Sequence, residues 1–425
     1  MASAPGVPGS VVGSGAASVP APGPASAPSS GGRGRMRVLL GAAFLMATSA
    51  IGPGFLTQTV VFTGQLGASF GFAVLLSVLF DLGAQLTIWR VIVAARMPAQ
   101  ELADRVLPGL GKALTVMVGL GGLAFNIGNV AGAGLGLNAL FGLDVKAGAA
   151  LSAAVAIGLF LSREAGRAMD RFAQLMGVLM VLLTVYVAAA AAPPLGEAAL
   201  RTVLPLRLDA LAVVTIVGGT VGGYITFAGA HRLLDAGIAG PELVGQATRS
   251  AVTGIGVATV MRVVLFLAAL GVVVHGGVLD PANPPASVFR IAAGEVGYRL
   301  FGAVMWAAAA TSVVGSAYTS VSFVRTLHPA LVSRAPALIV GFIVVSTAVF
   351  LVVGQPVAIL TAVGALNALV LPVGLGAMLV AAHQAGLMNG YRHPRALTLA
   401  GAAAAVAMAV LGAHTVVTRV PGLFR

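Results

Sequence analysis

The sequence has no cysteine and very little charge. Charged residues make up 8% of its 425 residues, against 58% for hydrophobic ones. Without cysteine the chain forms neither disulfides nor thiolate metal sites, and it performs no thiol chemistry. A soluble domain carries about 25% charged residues, so this composition indicates an integral membrane protein.

Acidic residues are almost absent from the apolar stretches, where an intramembrane enzyme would need them. Asp81 is the only acid deep within the apolar stretches. An intramembrane enzyme needs paired acids, a Ser–His or Ser–Lys pair, or a metal cluster. An ATP-driven pump needs a phosphate-binding loop, and "PGLGKAL" (108–114) has the wrong spacing for one. We therefore expect neither an enzyme nor such a pump, and no bound cofactor.

Long apolar runs are abundant. They predict about eleven transmembrane helices and hence an all-α membrane protein. The runs cover residues 38–64, 68–94, 113–137, 146–161, 172–192, 210–230, 250–275, 300–324, 336–353, 356–382 and 396–417.

The basic residues predict the orientation. With the N-terminus in the cytoplasm, the inner loops carry most of the 24 lysines and arginines, as the positive-inside rule requires. The membrane surface thus accounts for the net charge of +12 without nucleic acid. We expect a multi-pass protein of the cell (inner or plasma) membrane. Residues 1–35, rich in Ala, Gly, Pro and Ser, predict a disordered cytoplasmic tail.

Two spans are interrupted at equivalent places. Span 1 contains "AIGPGFLTQT" (50–59) and span 6, five spans later, contains "GGTVGGYITFAG" (218–229). Glycine and proline weaken helices, and matched interruptions in two inverted halves mark a transporter site at the midplane. Close helix packing is the alternative explanation, and we prefer it for "GAGLG" (132–136).

Several segments resemble the NRAMP family of divalent metal transporters. They are "GASFGFAVLLSVLFDL" (67–82), "AGAGLGLNALFG" (131–142), "IVGGTVGGYI" (216–225) and "LPVGLGAMLVAAHQAGLMNGYRHP" (371–394). The resemblance implies a LeuT-like fold of two inverted five-helix repeats, here 36–195 and 196–394. Helices 1 and 6 would be broken, and an extra helix would lie in 395–425.

The departures from this family fall on its functional motifs. The Asp of the span 1 motif maps onto Gly52 or near Thr63. The Met-Pro-His motif of span 6 maps onto Gly222, Gly223 and Tyr224, and the acidic pair of span 3 maps onto Asn126 and Asn129. The carboxylate and thioether that favour transition metals are therefore missing, and neither asparagine titrates.

We expect a secondary transporter that works by alternating access. The substrate is a divalent cation that keeps part of its water, as Mg²⁺ does, or alternatively a small polar organic solute. Broken helices also line channels, so a channel function is a further alternative. The candidate substrate-binding residues are Gly52, Pro53, Gly54, Thr57, Gln58, Thr59, Gly222, Gly223, Tyr224 and Thr226.

Four polar residues inside spans form a second candidate set. Asp81 in span 2 and Arg262 in span 7 are too deep to reach water readily, and we expect them to pair directly or through water. Asn126 and Asn129 share a helix face. They either line a polar path or bond neighbouring helices.

Overall fold

The computed structural model describes residues 52–328 and 330–419, so the predicted tail and residues 38–51 of span 1 lie outside the described residues. The described part is helical, with no strand. Its helices are α1 (Pro53–Leu66), α2 (Phe70–Ala95), α3 (Ala99–Val106), α4 (Leu110–Phe141), α5 (Val145–Leu161), α6 (Arg163–Ala190), α7 (Leu195–Val203), α8 (Ala210–Thr220), α9 (Gly223–Asp235), α10 (Val244–Val274), α11 (Pro284–Val324), α12 (Ala330–Ser333), α13 (Ala335–Val353), α14 (Pro356–Ala382) and α15 (Arg395–Arg419).

The predicted all-α membrane class is confirmed. Within the described ranges, nine helical stretches are long and apolar enough to cross a membrane, and α5 is a shorter apolar helix. The predicted apolar run 300–324 lies in the second part of α11, and the sequence reading missed the helical part that precedes it. Helix α11 already begins at Pro284 and continues through a kink at Gly294, whose φ is 65°. The sequence reading also missed the short helices α3 and α7.

Side-chain caps define where several helices begin. Asp144, Asp209 and Asn283 precede α5, α8 and α11, and each accepts a hydrogen bond from a backbone N–H of the first turn. Such caps satisfy donors that the helix itself leaves free.

Helices α4 and α11 pack backbone to backbone. A Cβ atom on Gly136 would lie 2.6 Å from the backbone nitrogen of Trp306 in α11. One on Gly302 would lie 2.8 Å from the backbone nitrogen of Leu140 in α4. The predicted packing role of "GAGLG" is thus confirmed at Gly136.

Helix α2 is bonded to the second half of the broken span 6. The Trp89 indole Nε1 donates to the Thr226 carbonyl oxygen of α9 at 2.9 Å. Helix α14 packs against α1, α4 and α8. Through α14, the described part of span 1 (α1) and the first half of span 6 (α8) therefore lie next to each other.

Candidate functional site

The predicted break in span 6 is confirmed. Helix α8 ends at Thr220 and α9 begins at Gly223. Between them, Gly222 has ψ of 151°, far from a helical value. In span 1, α1 begins at Pro53 after the extended residue Gly52. The residues before Gly52 lie outside the described part.

Glycines of the span 6 break meet α14 at contact distance. A Cβ atom on Gly218 would collide with the Gly364 backbone, and one on Gly223 with the Val370 side chain. On Gly222 it would lie 2.7 Å from Cβ of Asn367. Close packing against α14 therefore requires glycine at these three positions, and the binding role predicted for Gly222 and Gly223 stays a prediction.

A small cavity lies between the two interrupted spans. Its volume is about 10 Å³, roughly what one water molecule needs. The lining residues come from α1, α4, α8 and α14, and all of them are uncharged: Gly54, Gln58, Phe125, Gly128, Asn129, Gly219, Leu360, Val363 and Gly364.

The free polar atoms in and near this cavity are oxygens. Gln58 Nε2 donates to the Leu360 carbonyl at 2.7 Å, whereas its Oε1 is buried without a partner. Asn367 repeats the arrangement: its Nδ2 donates to the carbonyls of Gly121 and Val363, and its Oδ1 has no partner. The hydroxyl of Thr57, the residue before Gln58 in α1, is also buried and unpaired. Unpaired buried acceptors are unfavourable, so they mark places where a ligand or water can bind.

Only part of the predicted substrate set lines the cavity. Gly54 and Gln58 do. Thr59 instead donates to the Phe55 carbonyl of its own helix, and the Thr226 hydroxyl bonds the Val221 carbonyl beside the break. Tyr224 is also turned to another partner, since its hydroxyl donates to the Ser316 carbonyl at 3.2 Å.

The asparagines of α4 have different surroundings. Asn126 bonds two serines of neighbouring helices: its Nδ2 donates to Ser346 Oγ at 3.1 Å, and its Oδ1 accepts from Ser316 Oγ at 2.7 Å. Asn129 lines the cavity and lies 3.4 Å from the same Ser316 hydroxyl. Interhelical bonding thus accounts for Asn126, while Asn129 faces the candidate site.

The expected direct ion pair between Asp81 and Arg262 is absent, since these two described side chains make no contact within 4.0 Å. Asp81 accepts a hydrogen bond from Thr220, the last residue of α8, at 3.2 Å. Arg262 donates from Nη1 to Ser77 of α2 at 3.3 Å, one helical turn from Asp81. Its guanidinium lies over the Phe55 ring, 4.5 Å from the centroid. A contact through water stays a prediction.

The sequence reading missed the contribution of span 10. Leu360, Val363 and Gly364 line the cavity, and Asn367 adds a free oxygen nearby. The available signal was "GALNAL" (364–369), a glycine and an asparagine within an otherwise apolar span.

A polar cluster at the C-terminal end of α2 connects that helix to the loop before α15. Arg90 Nε donates to the Tyr391 hydroxyl at 2.8 Å, and that hydroxyl lies 3.2 Å from Nδ1 of His393. Burial lowers the pKa of His393 from 6.5 to about 4, with further lowering by the nearby Arg90 and His383. His393 is therefore neutral at physiological pH, and its Nδ1 shares a hydrogen bond with the Tyr391 hydroxyl.

Comparison with known sequences extends over nearly the whole chain. Residues 43–418 match the family model described as natural resistance-associated macrophage protein-like. An uncharacterised membrane protein of Bacillus subtilis is 55% identical over 391 residues, which is 92% of this chain and 97% of that protein. One from Haemophilus influenzae is 52% identical over 390 residues, covering 92% and 98%.

Solved structures share the fold at low identity. A manganese transporter of Eremococcus coleocola superposes with a TM-score of 0.69 at 15% identity, covering 94% of this chain and 90% of that one. Mhp1, a nucleobase-cation-symport-1 family transporter crystallised in a closed conformation with bromovinylhydantoin bound, gives 0.54 at 16% identity, covering 89% and 92%.

Proposed function

The chain belongs to the Nramp family and has the LeuT-like fold, and on that basis we propose that it is a secondary transporter working by alternating access. The substrate site is the cavity between α1, α4, α8 and α14. The break at Val221–Gly222, together with the interruption that the sequence predicts at Gly52, would allow the half-helices to tilt separately. Tilting would open this cavity to one side of the membrane at a time.

The favoured substrate is a divalent cation that keeps part of its water. The observation behind this proposal is that the free buried atom of the cavity lining is an oxygen, Gln58 Oε1, and that a second free oxygen, Asn367 Oδ1, lies one helical turn along α14 from the lining residues Val363 and Gly364. Oxygen ligands suit hard cations such as Mg²⁺, which gives up its own waters reluctantly.

The same site disfavours transition metals. Its lining residues supply no carboxylate, imidazole or thioether, the ligand types that hold Mn²⁺ or Fe²⁺. Proton transfer through span 3 is disfavoured too, because Asn126 and Asn129 do not titrate. We therefore expect slow Mn²⁺ transport with little accompanying proton flux.

The uncharged lining favours a second candidate, a small polar organic solute. Such a solute could donate N–H or O–H groups to the free oxygens without the large desolvation penalty of a dication. Like a cation that keeps part of its water, it needs more room than the present cavity of about 10 Å³, so both candidates require α1 or α8 to move further apart from α14.

Flux into proteoliposomes tests these alternatives. We would measure Mg²⁺ and Mn²⁺ entry with internal metal indicators and a pH dye, then repeat with amino acids and small carboxylates as competitors. The proposal expects saturable Mg²⁺ entry and weak Mn²⁺ entry. Saturable Mn²⁺ entry at micromolar concentration with matching acidification would contradict it. Solute uptake without cation flux would establish the second candidate.

A further inference from the structure

Arg262 is a buried cation whose hydrogen bonds are incomplete. It is 2% exposed, near the middle of the membrane helix α10. Its Nη1 donates to Ser77, while Nε and Nη2 are buried and have no partner. A guanidinium at this depth is costly unless it is paired, so the two free nitrogens need an acceptor.

The two free nitrogens form one edge of the guanidinium. The Nε–H and one Nη2–H point in the same direction, and this fork matches the two oxygens of a carboxylate. The Phe55 ring covers a face of the guanidinium at 4.5 Å from its carbon. A ligand would therefore approach in the guanidinium plane, along the free edge.

A second positive group lies beside the guanidinium. Phe55 is in the first turn of α1, and Gly52, which precedes that helix, provides no capping side chain. The N-terminal end of a helix carries a partial positive charge. The two groups together attract a negative ligand.

Asp81 does not fill this role in the present conformation. Its carboxylate accepts a hydrogen bond from Thr220, and it makes no ion pair with Arg262 within 4.0 Å. Its negative charge still acts on the guanidinium at longer range, and it would weaken the binding of another anion. Removing that charge should therefore strengthen such binding.

We propose that the free edge of Arg262 binds a small monovalent anion, either a carboxylate or chloride. The bound anion would complete the hydrogen bonds of Nε and Nη2 and neutralise the guanidinium. This site lies on the Phe55 side of α1, whereas Gly54 and Gln58 face the cavity. The inference therefore does not depend on which substrate the cavity takes.

Binding to the purified full-length protein in detergent tests the proposal. Sodium chloride and sodium acetate are titrated by calorimetry, with the bulky anion gluconate as reference at equal ionic strength. Thermal unfolding is followed in parallel. We expect chloride or acetate, but not gluconate, to raise the wild-type Tm by about 3 °C or more at saturation. No difference among the three anions would overturn the proposal.

Variants locate the site and separate the two anions. Arg262→Gln should abolish the shift, and Arg262→Lys, which keeps the charge without the fork, should lose the acetate response before the chloride response. Arg249→Gln, which removes an exposed arginine of the same helix, should behave as wild type. An unchanged response in Arg262→Lys and Arg262→Gln would place binding elsewhere. If Arg262→Gln does not fold, the lysine variant alone decides.

Asp81→Asn tests the competing intramolecular anion. Tighter anion binding in this variant supports an external ligand, because a nearby negative charge has been removed. Loss of the anion response would instead mean that the carboxylate of Asp81 is needed at the site, and the proposal would fail.

Discussion

The two sides of α1 differ in electrostatics. On the cavity side, Gly54 and Gln58 face uncharged residues. On the other side, the guanidinium of Arg262 lies over the Phe55 ring and donates a hydrogen bond to Ser77 of α2. Asp81 lies one helical turn after Ser77 in the same helix. Charge inside the membrane is thus kept out of the cavity lining. It can influence a substrate through its field, but not as a direct ligand.

The largest expected effect comes from overpacking the contact between the span 6 break and α14. Gly223→Leu would push a side chain into Val370, and we expect destabilisation of about 3 kcal/mol and loss of uptake. Gly376→Leu is the matched control, because nothing lies within 4 Å of a Cβ atom at this glycine of α14. Thermal unfolding and flux are measured for both. Equal stability of the two variants would show that contact with α14 does not explain Gly223.

The next effect comes from changing the chemistry of the uncharged side. Gln58→Leu removes the free oxygen and should lower uptake about 10-fold or more. Gln58→Glu brings a carboxylate into the cavity and should raise the affinity for divalent cations, Mn²⁺ included. Thr59→Val is the control, because the Thr59 hydroxyl bonds its own helix. Unchanged affinity in both Gln58 variants would remove this residue from the substrate site.

A smaller effect is expected from the long-range interaction between the charges of Asp81 and Arg262. Without a direct ion pair, Asp81→Asn and Arg262→Gln should still be coupled by about 1 kcal/mol, since interacting charges give non-additive stabilities. A double-mutant cycle on the free energy of unfolding measures that coupling. Strict additivity would show that the two charges are independent, and coupling near 3 kcal/mol would indicate an ion pair formed in solution.

The smallest effect lies outside the membrane, at His393. Because the pKa of His393 is about 4 in the folded protein and 6.5 in its ordinary range, the unfolded state binds protons first as pH falls. The contribution of His393 to the free energy of unfolding is therefore fully present above pH 6.5, and it is lost progressively as the pH falls to about 4. His393→Gln should flatten the dependence of Tm on pH in that window. An unchanged profile would mean that burial does not hold the histidine neutral.

The sequence was sufficient for the long apolar helices and for the break in span 6, because both depend on local composition, whereas the short helices α3 and α7 were missed. Apolar length predicts a span, and clustered glycines predict an interruption at 218–223. The partners of those glycines could not be read in this way. Whether Gly222 lines a cavity or touches α14 depends on a helix more than a hundred residues away. The missing ion pair has a similar cause, since Thr220 and Ser77 provide alternative partners that no spacing rule reveals.

The close contact between α4 and α11 has a practical use. Where backbones meet at Gly136 and Gly302, no layer of flexible side chains separates the helices, so neither can slide or rotate without a collision. The pair therefore provides an internal ruler for spectroscopy. Probes placed on α4 and α11 should report a constant separation during transport, and changes measured from this pair to α1 or α9 would then record the moving parts directly.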